Sequence, residues 1–320
     1  MQDVLRRYIQ SVNSCDEAGA KSAVTSDFAT RYSWTPAFSA RLLPTAGMCG
    51  PGQPSFEVSV LARTLRAVTD DVTMADAFFR TIGVPNGDEA GRLYITFVRR
   101  DGAWRIFSLR FHPVRFEKPF FGIEPATHHD PSGPDGWLNL FDGTSRNAFQ
   151  DATGGAFPSS WTIDGDALKA VAGKNGRALR TKDTYRSFEL RFDWKTGPKG
   201  NSGIKYRLFY LAENPRGGSD GAGLEYQVAD DGGDPGAIRF AVERSGALYN
   251  QFAPRGAVPK PLGEYNQSVL IVRGRHCEHW LNGVKVVEFA AESNPPESPI
   301  MLQHHGTEVW FRNIRIRRID

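Results

Sequence analysis

Val4, Leu5, Tyr8, Ile9 and Val12 recur at the three- and four-residue spacing of one helical face, so the chain opens on an amphipathic helix. Asp16 stands where an N-cap is expected, ahead of a second helix running through Ala18, Ala20, Ala23 and Val24. Tyr32 to Pro54 is irregular and rich in Pro, Gly and aromatic residues, and Phe56 to Val68 returns to a helical period. From Val72 the pattern turns to strands. Val72 to Ile82 is one, a loop with Asn86-Gly87 follows, and Leu93 to Val98 pairs with Trp104 to Phe111 across Asp101-Gly102. Asp-Gly between apolar runs is a hairpin signal, because both residues tolerate the positive φ of a tight turn.

Pro113, Pro119, Pro125, Pro131 and Pro134 punctuate the next stretch and deny it helix or central strand, which makes residues 116–134 a linker. His128-His129-Asp130 within it could touch a metal, but no further ligand lies at a diagnostic spacing. From Trp137 onward short alternating runs recur about every ten residues with turn residues between them, the signature of a β-sandwich. Phe188, Leu190, Phe192 and Trp194 alternate with Glu189, Arg191, Asp193 and Lys195; Val269 to Val272 reads as a strand covered on both faces. Trp280 to Val286 is a hairpin about Asn282-Gly283, and the last strand buries Ile314 and Ile316 while exposing Arg315 and Arg317.

The candidate chemistry lies between Asn201 and Asp231. Alternation sets Ile204, Tyr206 and Leu208 on one side of a strand and Lys205 and Arg207 on the other. A second strand opposes Leu224, Tyr226 and Val228 to Glu225 and Gln227. A basic pair and a Glu/Gln pair on one open sheet face make a floor for a polar ligand; the same alternation also describes an ordinary solvated face.

Composition narrows the classes. The chain has 320 residues, is 40% hydrophobic and 23% charged, and carries a net charge of +3, a globular composition with no basic run to hold nucleic acid. No apolar run reaches membrane-spanning length, and the first residues are amphipathic, so the expectation is a cytoplasmic protein or one whose leader was removed. Of three cysteines, Cys15 and Cys49 could bridge in an oxidising compartment or remain thiols, and Cys277 is left over.

Two resemblances follow. Helices leading into a curved sheet that ends in DGAWRIFSLRF resemble the SnoaL-like members of the nuclear-transport-factor-like cone fold over residues 1–115. Such folds hold a pocket, here flanked by Tyr32, Trp34, Arg110 and His112, and some only dimerise; a homodimer through this domain is the corresponding expectation. Over residues 135–320, DGWLNLFDGTS, FDWKTGPKGNSGIKYR, LEYQVADD, GALYNQFAP, GEYN, HWLNG and IMLQHHGTEVWFRNIRI, in that order, resemble the 3-keto-disaccharide hydrolase family. The expected architecture is an α+β cone followed by an all-β concanavalin-like jelly roll whose concave face holds carbohydrate.

The resemblance implies cleavage of 3-keto-glycosides. The ketone acidifies the hydrogen at C2, a base removes it to give an enolate, elimination expels the glycosidic oxygen, and water adds to the enone. Such a site needs a base, a cation near the ketone oxygen and a proton donor. Strand parity and motif match make Glu225 the base, Arg207 and Lys195 the cations and His305 the proton donor or a metal ligand, with His304 pointing away. Gln227, Gln303, Asn201, Tyr249 and His279 are substrate-binding candidates; Asn201 could instead form a turn, Tyr249 pack, and His279 fix its hairpin. A divalent ion on Glu225, His305 and Asp230 is the one cofactor left open, with no ligand spacing that commits to it. Two other classes fit: a carbohydrate-binding module without turnover, and a two-carboxylate glycosidase in which Asp193 or Asp230 faces Glu225 at about 5–10 Å.

Overall fold

The computed structural model describes residues 1–28, 57–82, 89–113, 136–173, 176–214, 218–232, 240–291 and 297–319. The linker, Tyr32, Trp34, Cys49 and the His128-His129-Asp130 cluster lie outside these residues, as does the side chain of His112. The chain divides into two compact units, Met1–Glu117 with Ala291–Asn294, and Lys118–Ala290 with Pro295–Asp320.

In the first unit, α1 (Gln2–Asn13) buries Val4, Leu5, Tyr8, Ile9 and Val12, the expected face. Asp16 caps α2 (Glu17–Ser22) by accepting the Gly19 N–H. Four antiparallel strands follow as a meander: β1 (Glu57–Thr69), β2 (Val72–Ile82), β3 (Glu89–Arg100) and β4 (Ala103–Pro113). The third helix expected over 56–68 is therefore strand β1. Bulges at Ala62/Thr64 and Ala67/Thr69 break its two-residue period, which is how a strand comes to imitate helical spacing. Asp101 (φ 52) and Gly102 (φ 73) make the expected β3–β4 turn. The core packs α1 against Val58, Val60, Phe79, Ile95, Phe97 and Ile106. Arg110 is exposed. Cys15 is disulfide-bonded and Cys277 is a free, buried thiol.

The second unit is a β-sandwich. Its strands are β5 (Leu138–Phe141), β6 (Phe149–Asp151), β7 (Trp161–Asp164), β8 (Ala167–Ala170), β9 (Leu179–Thr181), β10 (Phe188–Thr196), β11 (Asn201–Asn214) and β12 (Gly218–Ala229). β13 (Asn266–Arg273), β14 (His276–Leu281), β15 (Val284–Ala290), β16 (Met301–Leu302) and β17 (Val309–Arg318) complete it. One sheet runs β15-β14-β13-β10-β17-β8-β7, with β5 on β17; the other runs β12-β11-β16-β9-β6. Among the described residues of this unit the only helical segment is a 3₁₀ turn at Ala241–Glu243.

Phe188, Leu190, Phe192 and Trp194 form the inner face of the larger sheet, as their alternation predicts. Phe192 meets Tyr226 edge-on at 5.5 Å and Phe188 meets Tyr206 at 6.5 Å, joining the two sheets. Leu270 and Val272 are buried while Val269 and Ile271 are half-buried, so β13 alternates instead of being covered on both faces. Asn282 (φ 49) and Gly283 (φ 84) close the expected β14–β15 hairpin. No helix among the described residues is long and apolar enough to cross a membrane.

Candidate functional site

The smaller sheet turns Ile204, Tyr206, Leu224, Tyr226 and Val228 inward and presents the alternate residues on its outer face. Register sets Lys205 opposite Glu225, Gly203 opposite Gln227, and Asn201 opposite Ala229. Lys205 Nζ lies 3.8 Å from Glu225 Oε2, with the two side chains only 9% and 12% exposed. From β16, the Gln303 N–H donates to Gly203 O at 2.9 Å, and its Nε2 donates to Glu225 Oε2 at 3.3 Å. Gln227 Nε2 donates to Asn201 Oδ1 at 3.1 Å. Tyr249 lies on the other flank of Glu225, its N–H donating to Glu225 O at 3.1 Å, and the Tyr226–Leu248 bridge gives it the same outward parity. Glu225, Gln227, Gln303, Asn201 and Tyr249 are thus neighbours on one face.

Gly203 makes this grouping geometrically allowed. A Cβ there would lie 2.5 Å from Gln303 Oε1 and 2.9 Å from both Cγ and Oε1 of Glu225. The carboxylate and carboxamide occupy the space a side chain would fill. Gln227 and Gln303 are buried, and their Oε1 atoms accept no hydrogen bond among the described residues. An unsatisfied buried acceptor costs about 1–3 kcal/mol, so two of them beside a buried ion pair mark a surface suited to hydroxyl donors.

Two further cations, Lys205 and Arg180, belong to this face. Lys205, one of the basic pair on the polar side of its strand, is the cation beside Glu225, where Arg207 was expected. Arg180 on β9 is opposite Met301, which is opposite Lys205, so it shares their face at 5% exposure. The row from Glu225 to Arg180 crosses three strand spacings, about 14 Å. Gly154 makes room at its far end, because a Cβ there would lie 2.7 Å from Arg180 Nη2. Burial lowers the Arg180 pKa and the nearby Asp151 charge opposes that shift.

Three expectations are overturned. Arg207 does not share the face of Lys205: the β11–β12 register slips after Tyr206 and Arg207 has φ 53. That bulge turns Arg207 into the sandwich at 2% exposure, its Nη1 lying 3.5 Å from both Gly274 O and Cys277 Sγ. Leu208 comes out instead, joining Ala152, Ala178 and Met301 in a small apolar cluster. Lys195 is on the outer face of the other sheet, stacked 4.8 Å from the Tyr265 ring and 5.0 Å from Trp310, with the sandwich between it and Glu225. His279 is a core residue. Its Nδ1–H donates to Gly246 O at 3.0 Å and its Nε2 accepts from Tyr206 OH at 2.8 Å, and burial lowers its pKa to about 4.

His305 is exposed in the loop after β16, while His304 is buried and receives the Gly306 N–H at 2.9 Å, the expected opposition of the pair. Asp230 does not complete a cation site with Glu225 and His305, since its carboxylate caps the Lys199 and Gly232 N–H groups. Among the described residues the one His/Cys/Asp/Glu trio with ligand atoms within 4.8 Å is His276, Glu278 and Glu288. Lys285 already pairs with both of those carboxylates. Asp193 is on the larger sheet with Lys195, so it is not a second catalytic carboxylate for Glu225.

A β-sandwich with a buried Glu–Lys pair and two amide acceptors on one outer face belongs among carbohydrate-acting proteins on the sequence comparisons. The chain is a member of the family described as 3-keto-alpha-glucoside-1,2-lyase-like, which matches residues 136–317. It is 26% identical over 251 residues to the 3-keto-disaccharide hydrolase of Bacteroides thetaiotaomicron, spanning 65% of this chain and 87% of that one. A solved structure of a proposed glycosyl hydrolase from Parabacteroides distasonis is 24% identical, covers 58% of this chain and 95% of its own, and has a TM-score of 0.49. Another from the same organism is 26% identical over 57% of this chain and 99% of its own, with a TM-score of 0.45.

Proposed function

We propose that the outer face of the five-stranded sheet cleaves 3-keto-glycosides by abstraction of the C2 proton, elimination and hydration. The observation that carries the reading is the Glu225 carboxylate, held between Lys205 and Gln303, with the carboxamide oxygens of Gln303 and Gln227 buried beside it. Glu225 takes the C2 proton. Lys205, in the role first expected of Arg207, offsets the negative charge that develops on the enolate oxygen. Gln227 and Gln303 accept hydroxyl protons from the sugar, Asn201 orients Gln227, and Tyr249 borders the base. His305 is the proton donor to the departing oxygen. Arg180 extends the row toward the aglycone.

The second unit is read as a concanavalin-like jelly roll. The first is read as a SnoaL-like domain, supported by two helices packed on a four-stranded meander, and as the means by which two copies associate. The test is product analysis. The protein releases 3-keto-glucose from a 3-keto-disaccharide and releases nothing from the unoxidised parent. Cleavage of the parent would replace this reading with ordinary glycoside hydrolysis, and binding of the ketone without turnover would reduce it to a binding module.

A further inference from the structure

The opposite outer face of the sandwich carries a cavity of about 540 Å³, lined chiefly by Asn139, Arg191, Asp193, Gln267, Asn313 and Arg315. Its size falls within the range of about 300–1,000 Å³ usual for small-ligand sites. Backbone irregularities build it. The β10–β17 register shifts between Arg191 and Asp193, and the β17–β5 register shifts between Ile314 and Arg315. Between the two shifts Asn313 adopts φ 51, and its Nδ2 donates to Asp193 Oδ2 at 2.7 Å. Bulges of this kind re-aim side chains and gather near binding sites. Trp137 stiffens the rim, with the Arg191 and Arg315 guanidinium groups 5.1 and 4.9 Å from its ring.

The chemistry of the lining selects a ligand. Arg191 shares Glu189 with Arg317, its Nε–H donating to Glu189 Oε1 at 2.8 Å, and Asp193 shares Arg312 with Asp166. The lining itself sets two arginines, Arg191 and Arg315, against two carboxylates, Asp142 and Asp193, so the cavity has no net charge to attract a phosphate or an acidic polymer. It presents planar donors and acceptors instead. Asn139, Gln267 and Arg315 are exposed along the lining, Arg315 with one face of its guanidinium on Trp137. Balanced charge with several bidentate groups suits a polyol. We infer that this cavity is a second, non-catalytic carbohydrate site that binds a neutral oligosaccharide on the face opposite Glu225.

The experiment is a titration of the ¹⁵N-labelled full chain with maltotriose, following side-chain signals of Asn313, Gln267 and Arg315. Saturable shifts at these groups are expected in the parent protein and equally in Glu225→Gln. Asn313→Gly keeps the left-handed backbone and removes the carboxamide; Gln267→Trp fills the cavity from an exposed position. Each should weaken the binding by about tenfold or more, the loss of one or two hydrogen bonds, with melting temperature and 3-keto-disaccharide turnover unchanged. Shifts confined to the Glu225 face overturn the inference and leave the proposed reaction standing. So does tighter binding of glucose 6-phosphate than of maltotriose. Signals that move with protein concentration and not with sugar would make the face a contact between copies and would likewise overturn it.

Discussion

Gly203→Ala isolates the positioning of Glu225 from the stability of the fold. The new methyl would begin 2.5 Å from Gln303 Oε1 and 2.9 Å from Glu225 Cγ and Oε1, against an ordinary contact that starts at 3.4 Å. Gln303 must retreat by about 0.9 Å and Glu225 by about 0.5 Å. Gly203 lies in a strand without positive φ, so alanine fits the backbone and gains about 0.4–1 kcal/mol by narrowing the unfolded ensemble. What yields is the Gln303 carboxamide and the Glu225 side chain from Cγ outward, both of which the reaction uses. Misplacement of a reacting group by about 1 Å costs about 100-fold in rate, or about 2.7 kcal/mol. Release of 3-keto-glucose should therefore fall by one to two orders of magnitude in kcat while the melting temperature stays level or rises slightly. Parental turnover in Gly203→Ala would refute the claim that Glu225 and Gln303 act from these positions. A melting temperature that fell in step with activity would make the glycine structural.

The two sheet faces should respond differently to loss of a lysine. Lys205→Met should cut turnover by about 100-fold or more, as removal of one charge-stabilising group does, whereas Lys195→Met should stay close to the parent in the same assay. Arg207→Met should keep the turnover of each folded molecule, because the guanidinium is buried in the core and no active group is lost; a kcat loss without destabilisation would return Arg207 to the site. His279 gives a pH signature. Its folded pKa of about 4 lies below the unfolded value of 6.5, so stability is whole above pH 6.5 and drains as pH falls toward 4. The loss amounts to on the order of 3 kcal/mol at about 1.4 kcal/mol per pH unit. Chemical denaturation at pH 7 and pH 4.5 should show a smaller difference in His279→Gln than in the parent, and equal differences would contradict its assignment as a buried neutral imidazole.

Much of the architecture is legible in side-chain spacing. The α1 face, the Asp101-Gly102 and Asn282-Gly283 turns, and the inward run Phe188, Leu190, Phe192, Trp194 all follow from period and turn chemistry. Parity also puts Glu225 and Gln227 on one side of their strand; that Gln303 joins them is shown by the structure. Parity fails where the backbone breaks period. A single left-handed residue at Arg207 exchanges the sides of Arg207 and Leu208, and two bulges in β1 make a strand resemble a helix. Parity is also silent about which of two sheets a strand joins, which is why Lys195 looked like a partner of Glu225 and is not. His279 and Tyr206 exchange a hydrogen bond between sheets, a pairing that depends on β11 facing β14 and leaves no trace in spacing. Arg180 could have been found only from the order β11-β16-β9.

The central claim is that Glu225 removes the C2 proton of a 3-keto sugar, and washout of a C2 deuterium label into solvent measures that step alone. With a 3-keto-glucoside deuterated at C2, the parent protein should release the label before or together with the aglycone, and Glu225→Gln should release neither while still binding the ketone. Release of the label by Glu225→Gln at the parental rate would contradict the account.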